Sequence, residues 1–510
     1  MINLSEKMNV LFIITDGQRA DHLSCYGNPD LKTPNLDKLA SEGIRFTNTY
    51  CTNPFCMPNR SSIFTGKYPS LHGVRCNGIN LNPHTPTFIK TLHDVGYYTY
   101  SAGKIHMNWL GSPYSRKSKS AEMIIPYLFE GKKEKMSKSQ LYYGFDEVDL
   151  TLGHGDAVAG HYLEWVKEKA PDYFELIKSR VLKLSEHILS DSPIPEYLHP
   201  TSYIVERTLA FLQRFSEGFY NDKPFFLFCS FPDPHHPVCL PSPFNRMYDP
   251  DKIQIPSTLN DIDNLRNHSV LKNYIDIYRM NWLRITNEEE VRKFIAYTYG
   301  SISMIDMGIG QILAALNSLG LEKNTIIIFT SDHGDLMGDH GLLFQGPTHY
   351  QGYIKVPLIW KIPGMTIPST TTHSLASSID IPITILNILN IKSKIHPPGI
   401  QGYDLSPIIK NPKSKIRDHC IIEEDEDSQR DSYNLPDLRV RTIVTEDYRM
   451  TVYQGYENTG DLFDLKKDPH ELHNLWYEED SQQVKNQLLT KLLHELMNLQ
   501  DRLPKKEARV

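Results

Sequence analysis

Cys56 lies in the proline-bounded turn Asn53-Pro54-Phe55-Cys56-Met57-Pro58, directly before a segment able to start a helix. A thiol at a helix N-terminus, with Arg60 one turn later, has its pKa lowered by the helix dipole and the guanidinium. Taken alone, Cys56 is either a reactive thiol or a structural cysteine. Two aspartates suggest a second chemistry. Asp16 closes Ile13-Ile14-Thr15-Asp16, and Asp332 follows Phe329-Thr330-Ser331, so each sets a carboxylate just beyond an apolar run. Carboxylate oxygens hold hard divalent cations, and His333 beside Asp332 adds a ring nitrogen. Helix capping is the plain alternative for either aspartate.

Such residues need a scaffold that brings distant segments together. Continuous β-branched and aromatic runs at Val10 to Thr15, Phe225 to Phe231, Thr325 to Thr330 and Val356 to Ile362 predict strands buried on both faces, as in a parallel sheet. Helical patterns lie between them. Thr33-Pro34 starts a short helix closed by Gly43, and apolar residues recur at helical spacing from Ile302 to Leu316 before Gly320. Strands alternating with helices predict an α/β fold, a large mainly parallel sheet sandwiched by helices, over residues 1–400. In such sheets the ligand crevice lies beyond the carboxyl ends of the strands, where Asp16 and Asp332 can meet. Arg116 to Lys138 reads as an exposed insertion, and about Pro250 to Glu290 is irregular and polar. Past Gly399 comes the acidic run Glu423-Glu424-Asp425-Glu426-Asp427, then short strands (Arg441 to Val444, Tyr448 to Tyr453) and a helix around Val484 to Leu499. Residues 401–510 are therefore expected to form a smaller α+β domain with a small antiparallel sheet.

These residues belong to a longer pattern. Cys56-x-Pro58-x-Arg60, continued by Ser62-Ile63-Phe64-Thr65-Gly66, resembles the sulfatase signature, in which this cysteine becomes formylglycine. Asn9 to Asp21 resembles the family's opening strand, with Asp16 its first metal ligand. Gly103-Lys104-Ile105-His106 resembles the Gly-Lys-x-His element, Pro234-His235-His236-Pro237 the Pro-His-x-Pro element, and Ser331-Asp332-His333-Gly334 the second metal-binding strand end. Tyr453 to Asn474 resembles the C-terminal signature. From about residue 9 to 476 the chain is identified as a member of the sulfatase family, within the alkaline-phosphatase-like superfamily, related to arylsulfatases, choline sulfatases and phosphonate monoester hydrolases.

The resemblance implies hydrolysis of a small-molecule sulfate ester, with formylglycine made from Cys56 by a formylglycine-generating enzyme. It implies a divalent metal held by Asp16, Cys56 (as formylglycine), Asp332 and His333, with calcium the default. Arg60 and Lys104 would hold sulfate oxygens and the hydrated aldehyde. One hydroxyl of the diol would attack sulfur, His235 (with Lys104) would protonate the leaving alcohol, and His106 would take the proton that lets sulfate depart. His236 is the alternative substrate-facing ring, and His349 either lines the pocket or belongs to an ordinary loop.

Two positions depart from the family. Where many relatives carry a second ligand after Asp16, this chain has Gly17, so water, a backbone carbonyl or Gln18 must compensate, and manganese or magnesium stays open beside calcium. Gln345 stands where a sulfate-binding lysine often lies, which brings a phosphonate or phosphate ester hydrolase into view. A non-catalytic binding protein is the reading of another class, should Cys56 never be oxidised. The formal charge of −7, from 61 acids and 54 bases in 510 residues, gives no reason to expect nucleic acid or an anionic membrane as partner. No uninterrupted apolar run approaches the roughly 18 residues of a spanning helix. With no secretory signal and seven cysteines lacking a disulfide framework, a reduced cytoplasmic protein is expected, its oligomeric state, homo-oligomer included, left open.

Overall fold

The computed structural model describes residues 7–110, 120–129, 136–139, 141–183, 188–221, 223–272, 288–426 and 437–500. The apolar runs become strands for the expected reason: residues with no polar side chain on either face are stable only between two covering layers. β1 (Asn9–Asp16) is buried at every position. It is followed by β2 (Ile44–Tyr50), β3 (Tyr98–Gly103), β4 (Glu147–His154), β5 (Ala157–Gly160), β6 (Leu189–Asp191), β7 (Phe225–Pro234), β8 (Val238–Leu240), β9 (Thr325–Ser331), β10 (Lys355–Lys361) and β11 (Thr370–Ser377). Nine of these form one sheet in the order β11-β2-β10-β9-β1-β7-β3-β4-β5, and β6 pairs with β8 separately.

β1 runs parallel to β7 and β9, and β3 parallel to β7 and β4. The carboxyl ends of β9, β1, β7, β3 and β4 therefore share one edge. β10 is a correction to the simplest reading of its sequence, since it is antiparallel to both β9 and β2. An apolar run specifies burial on two faces and carries no information on direction.

The helix Glu288–Ser318 is the longest element of the sheet's covering layer and packs against the helix Pro200–Ser216. It is long and apolar enough to cross a membrane, a length the uninterrupted apolar runs do not reveal. Some 67% of its apolar window is nevertheless buried inside the protein, as befits a core helix.

A second sheet, β12 (His419–Glu426), β13 (Leu438–Thr445), β14 (Tyr448–Tyr453) and β15 (Gly460–Asp464), is antiparallel throughout. The helix Gln482–Asn498 packs on it. The acidic run lies on β12, where Glu423, Glu424 and Asp425 are buried. Each has a partner: Glu423 accepts from Ser70 N (2.8 Å) and Oγ (3.0 Å), Asp425 pairs with Arg441 (2.7 Å), and Glu424 meets His349 Nε2 (2.8 Å). β12 also grips the turn before Cys56, since Glu423 N donates to Thr52 O (2.8 Å) and Asn53 Nδ2 to Glu423 O (2.6 Å).

Arg449 on β14 is wholly buried, with its Nε on Glu471 and its Nη1 3.7 Å from Asp461. Glu471 in turn accepts from Gln351 N at 2.8 Å, tying the small sheet to the segment before β10. Removing one member of such a pair leaves a buried charge unanswered. Glu471→Ala should therefore lower stability by about 3–5 kcal/mol in urea unfolding. The double variant Glu471→Ala/Arg449→Met should lose less than that single change.

Candidate active site

Each parallel strand delivers a polar group at its carboxyl end. Asp16 ends β1, and Asp332-His333 follow β9 directly. His235 follows β7, Lys104 follows β3, and His154 ends β4. β3 must bend sharply to aim Lys104 inward. Gly103 has φ +111°, and a Cβ there would collide with Ser230 O, which accepts from Lys104 N at 3.0 Å. Cys56 is the first residue of the helix Cys56–Thr65 and is 2% exposed. Asn59 holds that helix in place: its Oδ1 accepts from Thr52 N (3.0 Å) and Ser378 Oγ (2.8 Å), while its Nδ2 donates to Asp332 O.

The cluster is compact. Cys56 Sγ lies 3.2 Å from His333 Nε2 and 3.5 Å from Asp16 Oδ1, and His333 Nε2 is 3.5 Å from Asp16 Oδ1 and 3.7 Å from Asp332 Oδ1. His333 Nδ1 donates to Gly334 O at 2.7 Å, which aims Nε2 at the carboxylates. That is the arrangement of a metal-ligating histidine, whose ring is oriented by its second nitrogen. Asp16, Cys56, Asp332 and His333 present one donor atom each, all within 4.8 Å of one another.

Two buried carboxylates at this spacing need cations. Arg60 donates through Nε to Asp332 Oδ2 (2.6 Å) and through Nη2 to Asp16 Oδ2 (3.3 Å), while its Nη1 is held by Lys104 O (3.0 Å) and Ser230 Oγ (2.9 Å). Lys104 Nζ lies on Asp16 Oδ2 and 2.7 Å from His154 Nε2. Burial alone would raise the Asp16 carboxyl, but Lys104, His235, Arg60 and His333 hold it well below the carboxylate range. His333 moves the other way: against desolvation, Asp332, Cys56 and Asp16 push it from 6.5 up to about 10. The Cys56 thiol, opposed by burial and Asp16, is brought down to about 7 by Lys104, His333 and a hydrogen bond with His106. The pocket holds negative charge that a proton on His333 satisfies, so a divalent cation with oxygen, nitrogen and sulfur donors fits it.

His106 has φ +60° and is hydrogen-bonded to Cys56. Burial, helped by Lys104, lowers it to about 4, so the ring is neutral. Its backbone is pinned by Glu122, a buried carboxyl that accepts from the amides of His106 (2.8 Å), Met107 (2.8 Å) and Asn108 (3.1 Å). His235 Nδ1 donates to His236 O at 2.5 Å, and its Nε2 meets Gln345 Nε2 at 3.2 Å. Burial lowers this ring as well.

All the sequence-derived catalytic and metal residues thus meet at one edge of the sheet, but several details differ. Arg60 is engaged with the two aspartates, Lys104 O and Ser230 Oγ, so it braces the carboxylates. His235 faces the cluster. His236 stacks between His235 (4.2 Å) and Phe344 (4.1 Å), with Nδ1 3.8 Å from Asp335. His349 stands away from the cluster, bonded to Thr442 Oγ1 (2.7 Å) and Glu424, where it joins a loop to the small sheet. Gln18 turns its amide toward His22 O at 3.4 Å. The supposed exposed insertion supplies Glu122, Tyr127 and Leu128, all buried, although much of it lies outside the described residues. His154 escaped the sequence reading because its only signal, the polar end of a strand, is shared by many surface residues. A lysine ammonium only donates, so His154 Nε2 accepts from Lys104; the ring also stacks on His235 at 4.3 Å.

A family model described as Sulfatase matches residues 8–391. The chain belongs to the sulfatase family. A second model, described as N-sulphoglucosamine sulphohydrolase, C-terminal, matches residues 338–498 of this sulfatase. An arylsulfatase of Clostridium perfringens is 29% identical over 497 residues, covering 96% of this chain and 94% of that one. A multifunctional alkaline phosphatase superfamily protein of Trinickia caryophylli is 28% identical over 500 residues, covering 92% and 91%. The solved phosphonate monoester hydrolase of Agrobacterium radiobacter shares the fold, with a TM-score of 0.78 at 24% identity over 98% of this chain and 97% of its own. The enzyme is a hydrolase of sulfate esters with an alkaline-phosphatase-like fold.

Two measurements test the electrostatics. The folded pKa of His333 lies above its unfolded value of 6.5, so its stabilisation is complete below pH 6.5 and lost as pH rises through about 10. Chelator-treated protein should lose stability across that window, and His333→Ala should flatten the loss. His154→Phe keeps the ring stack but removes the acceptor for Lys104. It should lower kcat roughly 10- to 100-fold, with the melting temperature nearly unchanged.

Proposed function

We propose that this sulfatase cleaves sulfate monoesters with Cys56, oxidised to formylglycine, as nucleophile and one divalent cation on Asp16, Asp332 and His333. The observation that carries the reading is the 3.2 Å approach of Cys56 Sγ to His333 Nε2 at a site where two buried carboxylates converge. Calcium suits the two carboxylates, while the imidazole keeps manganese and magnesium open. Formylglycine would supply a hydrated aldehyde hydroxyl as nucleophile, and the cation would neutralise sulfate oxygens.

The chain's own residues have separable tasks. Arg60 bridges Asp16 and Asp332 and holds the two carboxylates in register. Lys104, steadied by His154, presents an ammonium at the same carboxylate and beside the nucleophile position. His106 is a neutral imidazole in contact with residue 56 and accepts its proton. His235, its Nδ1–H fixed on a backbone carbonyl, exposes Nε2 for proton exchange with the alcohol oxygen. Maturation calls for a formylglycine-generating enzyme, and seven free thiols support a reducing, cytoplasmic setting.

Gln345 favours a second reading. With a neutral amide facing His235 and His333, the site has one cation fewer for a charged ester. Phosphonate monoesters carry a single negative charge on a tetrahedral centre, as sulfate monoesters do, and fit the same pocket. On matured enzyme, an aryl sulfate should turn over faster than a phenylphosphonate ester, and the reverse order would favour phosphonate hydrolysis. Mass spectrometry of the Cys56 peptide should show a loss of about 18 Da, thiol to aldehyde, when expressed with the oxidising machinery. Cys56→Ser should abolish turnover; retained activity would sink the mechanism.

A further inference from the structure

Gly17 and Gln345, 328 positions apart in sequence, meet at the same two histidines. Gly17 has φ +69°, and a Cβ built on it would stand 3.5 Å from His235 Cδ2 and 3.5 Å from His333 Cε1. A side chain at position 17 would therefore enter the slot between those two rings. Gln345 reaches the same two rings. Its Nε2 lies 3.2 Å from His235 Nε2 and 3.3 Å from His333 Nε2.

We propose that Gln345 supplies, through its amide oxygen, the cation ligand that Gly17 lacks. The inference rests on the cation reading given above. His333 Nε2 already faces Cys56 Sγ at 3.2 Å and Asp16 Oδ1 at 3.5 Å, so the Gln345 amide stands at the separation of the other donors. Neighbouring ligands on a divalent cation with bonds of 2.0–2.6 Å lie roughly 3 to 3.5 Å apart. The two ends of a carboxamide have nearly the same shape and exchange by rotation about the last side-chain bond. Only a ring nitrogen with a free lone pair accepts from the NH2 end. A cation on His333 repels that end and draws the oxygen. Gln18, the other neighbour able to compensate, gives its NH2 end to His22 O while its buried Oε1 has no partner among the described residues, so Gln18→Leu should weaken binding less than Gln345→Leu. On this account Gln345 serves the cation, where the family's lysine serves the anion.

The test measures cation binding directly, apart from turnover. Full-length protein is stripped with a chelator and titrated with Ca2+ and with Mn2+ by calorimetry, with thermal shifts in parallel. Gln345→Leu, similar in size but without an oxygen, should weaken binding roughly 10- to 100-fold, while Gln345→Glu should match or exceed the parent. Adding Gly17→Asp to Gln345→Leu should recover affinity, since aspartate is among the residues that tolerate positive φ. Gln345→Leu binding as tightly as the parent would overturn the inference, and Gln345→Glu binding more weakly would count equally against it. Asp332→Asn separates the two levels. If it abolishes binding while Gln345→Leu does not, only this inference fails. If the parent itself takes up neither ion, the cation reading fails with it.

Discussion

Two fully buried aspartates, Asp16 and Asp332, set the terms for the rest of this molecule. A carboxylate out of water is costly unless positive charge and hydrogen-bond donors surround it. Arg60 answers both at once, Lys104 answers Asp16, and the amides of Gly17 (3.1 Å) and His333 (2.8 Å) donate to Asp332 Oδ1. The remaining negative charge raises the basicity of His333 and makes the pocket receptive to a divalent ion. A sulfate ester is itself an anion, so a cation drawn by those carboxylates, and not the negative charge itself, would ease the approach of a nucleophile.

The fold keeps the carboxylates where they are. Parallel pairing of β1 with β9 and β7 puts three strand ends side by side. β1 and β9 lie in register from Asn9↔Thr325 to Thr15↔Ser331, so Asp16 and Asp332 are neighbours by geometry alone. The small sheet has a less obvious part. Its first strand holds Thr52 and Asn53, four and three residues before Cys56, so a sheet far along the chain fixes the entry into the helix that Cys56 begins. Glu122 does the corresponding work for His106 by capping three successive amides.

Much of this was legible from residue types. Continuous apolar runs marked β1, β7, β9 and β10, because burial on both faces leaves no place for polar side chains. The resemblance of Cys56 to Arg60, Lys104 to His106, His235 and Asp332-His333 to a known family named residues that the fold then gathers at one sheet edge. Other parts were hidden for physical reasons. The antiparallel direction of β10 depends on chain connectivity and leaves no mark in composition. Glu423, Glu424 and Asp425 read only as an acidic run, since nothing local reveals that Ser70, His349 and Arg441 will meet them. Glu122 was lost in polar text, and His154 has no signature beyond standing at a strand end.

The sequence by itself determined the family and named the polar residues that gather at one edge of the sheet. These depend on which chemical groups are present and in what order, and both are written in the chain. The tertiary structure alone decided how those groups divide the labour. It set Arg60 between the two carboxylates, put His154 Nε2 on the Lys104 ammonium, bonded His349 to the small sheet, and brought Gln345 to the two histidines that Gly17 faces. Such roles rest on distances of about 3 Å between residues hundreds of positions apart, and only the packed sheet sets them.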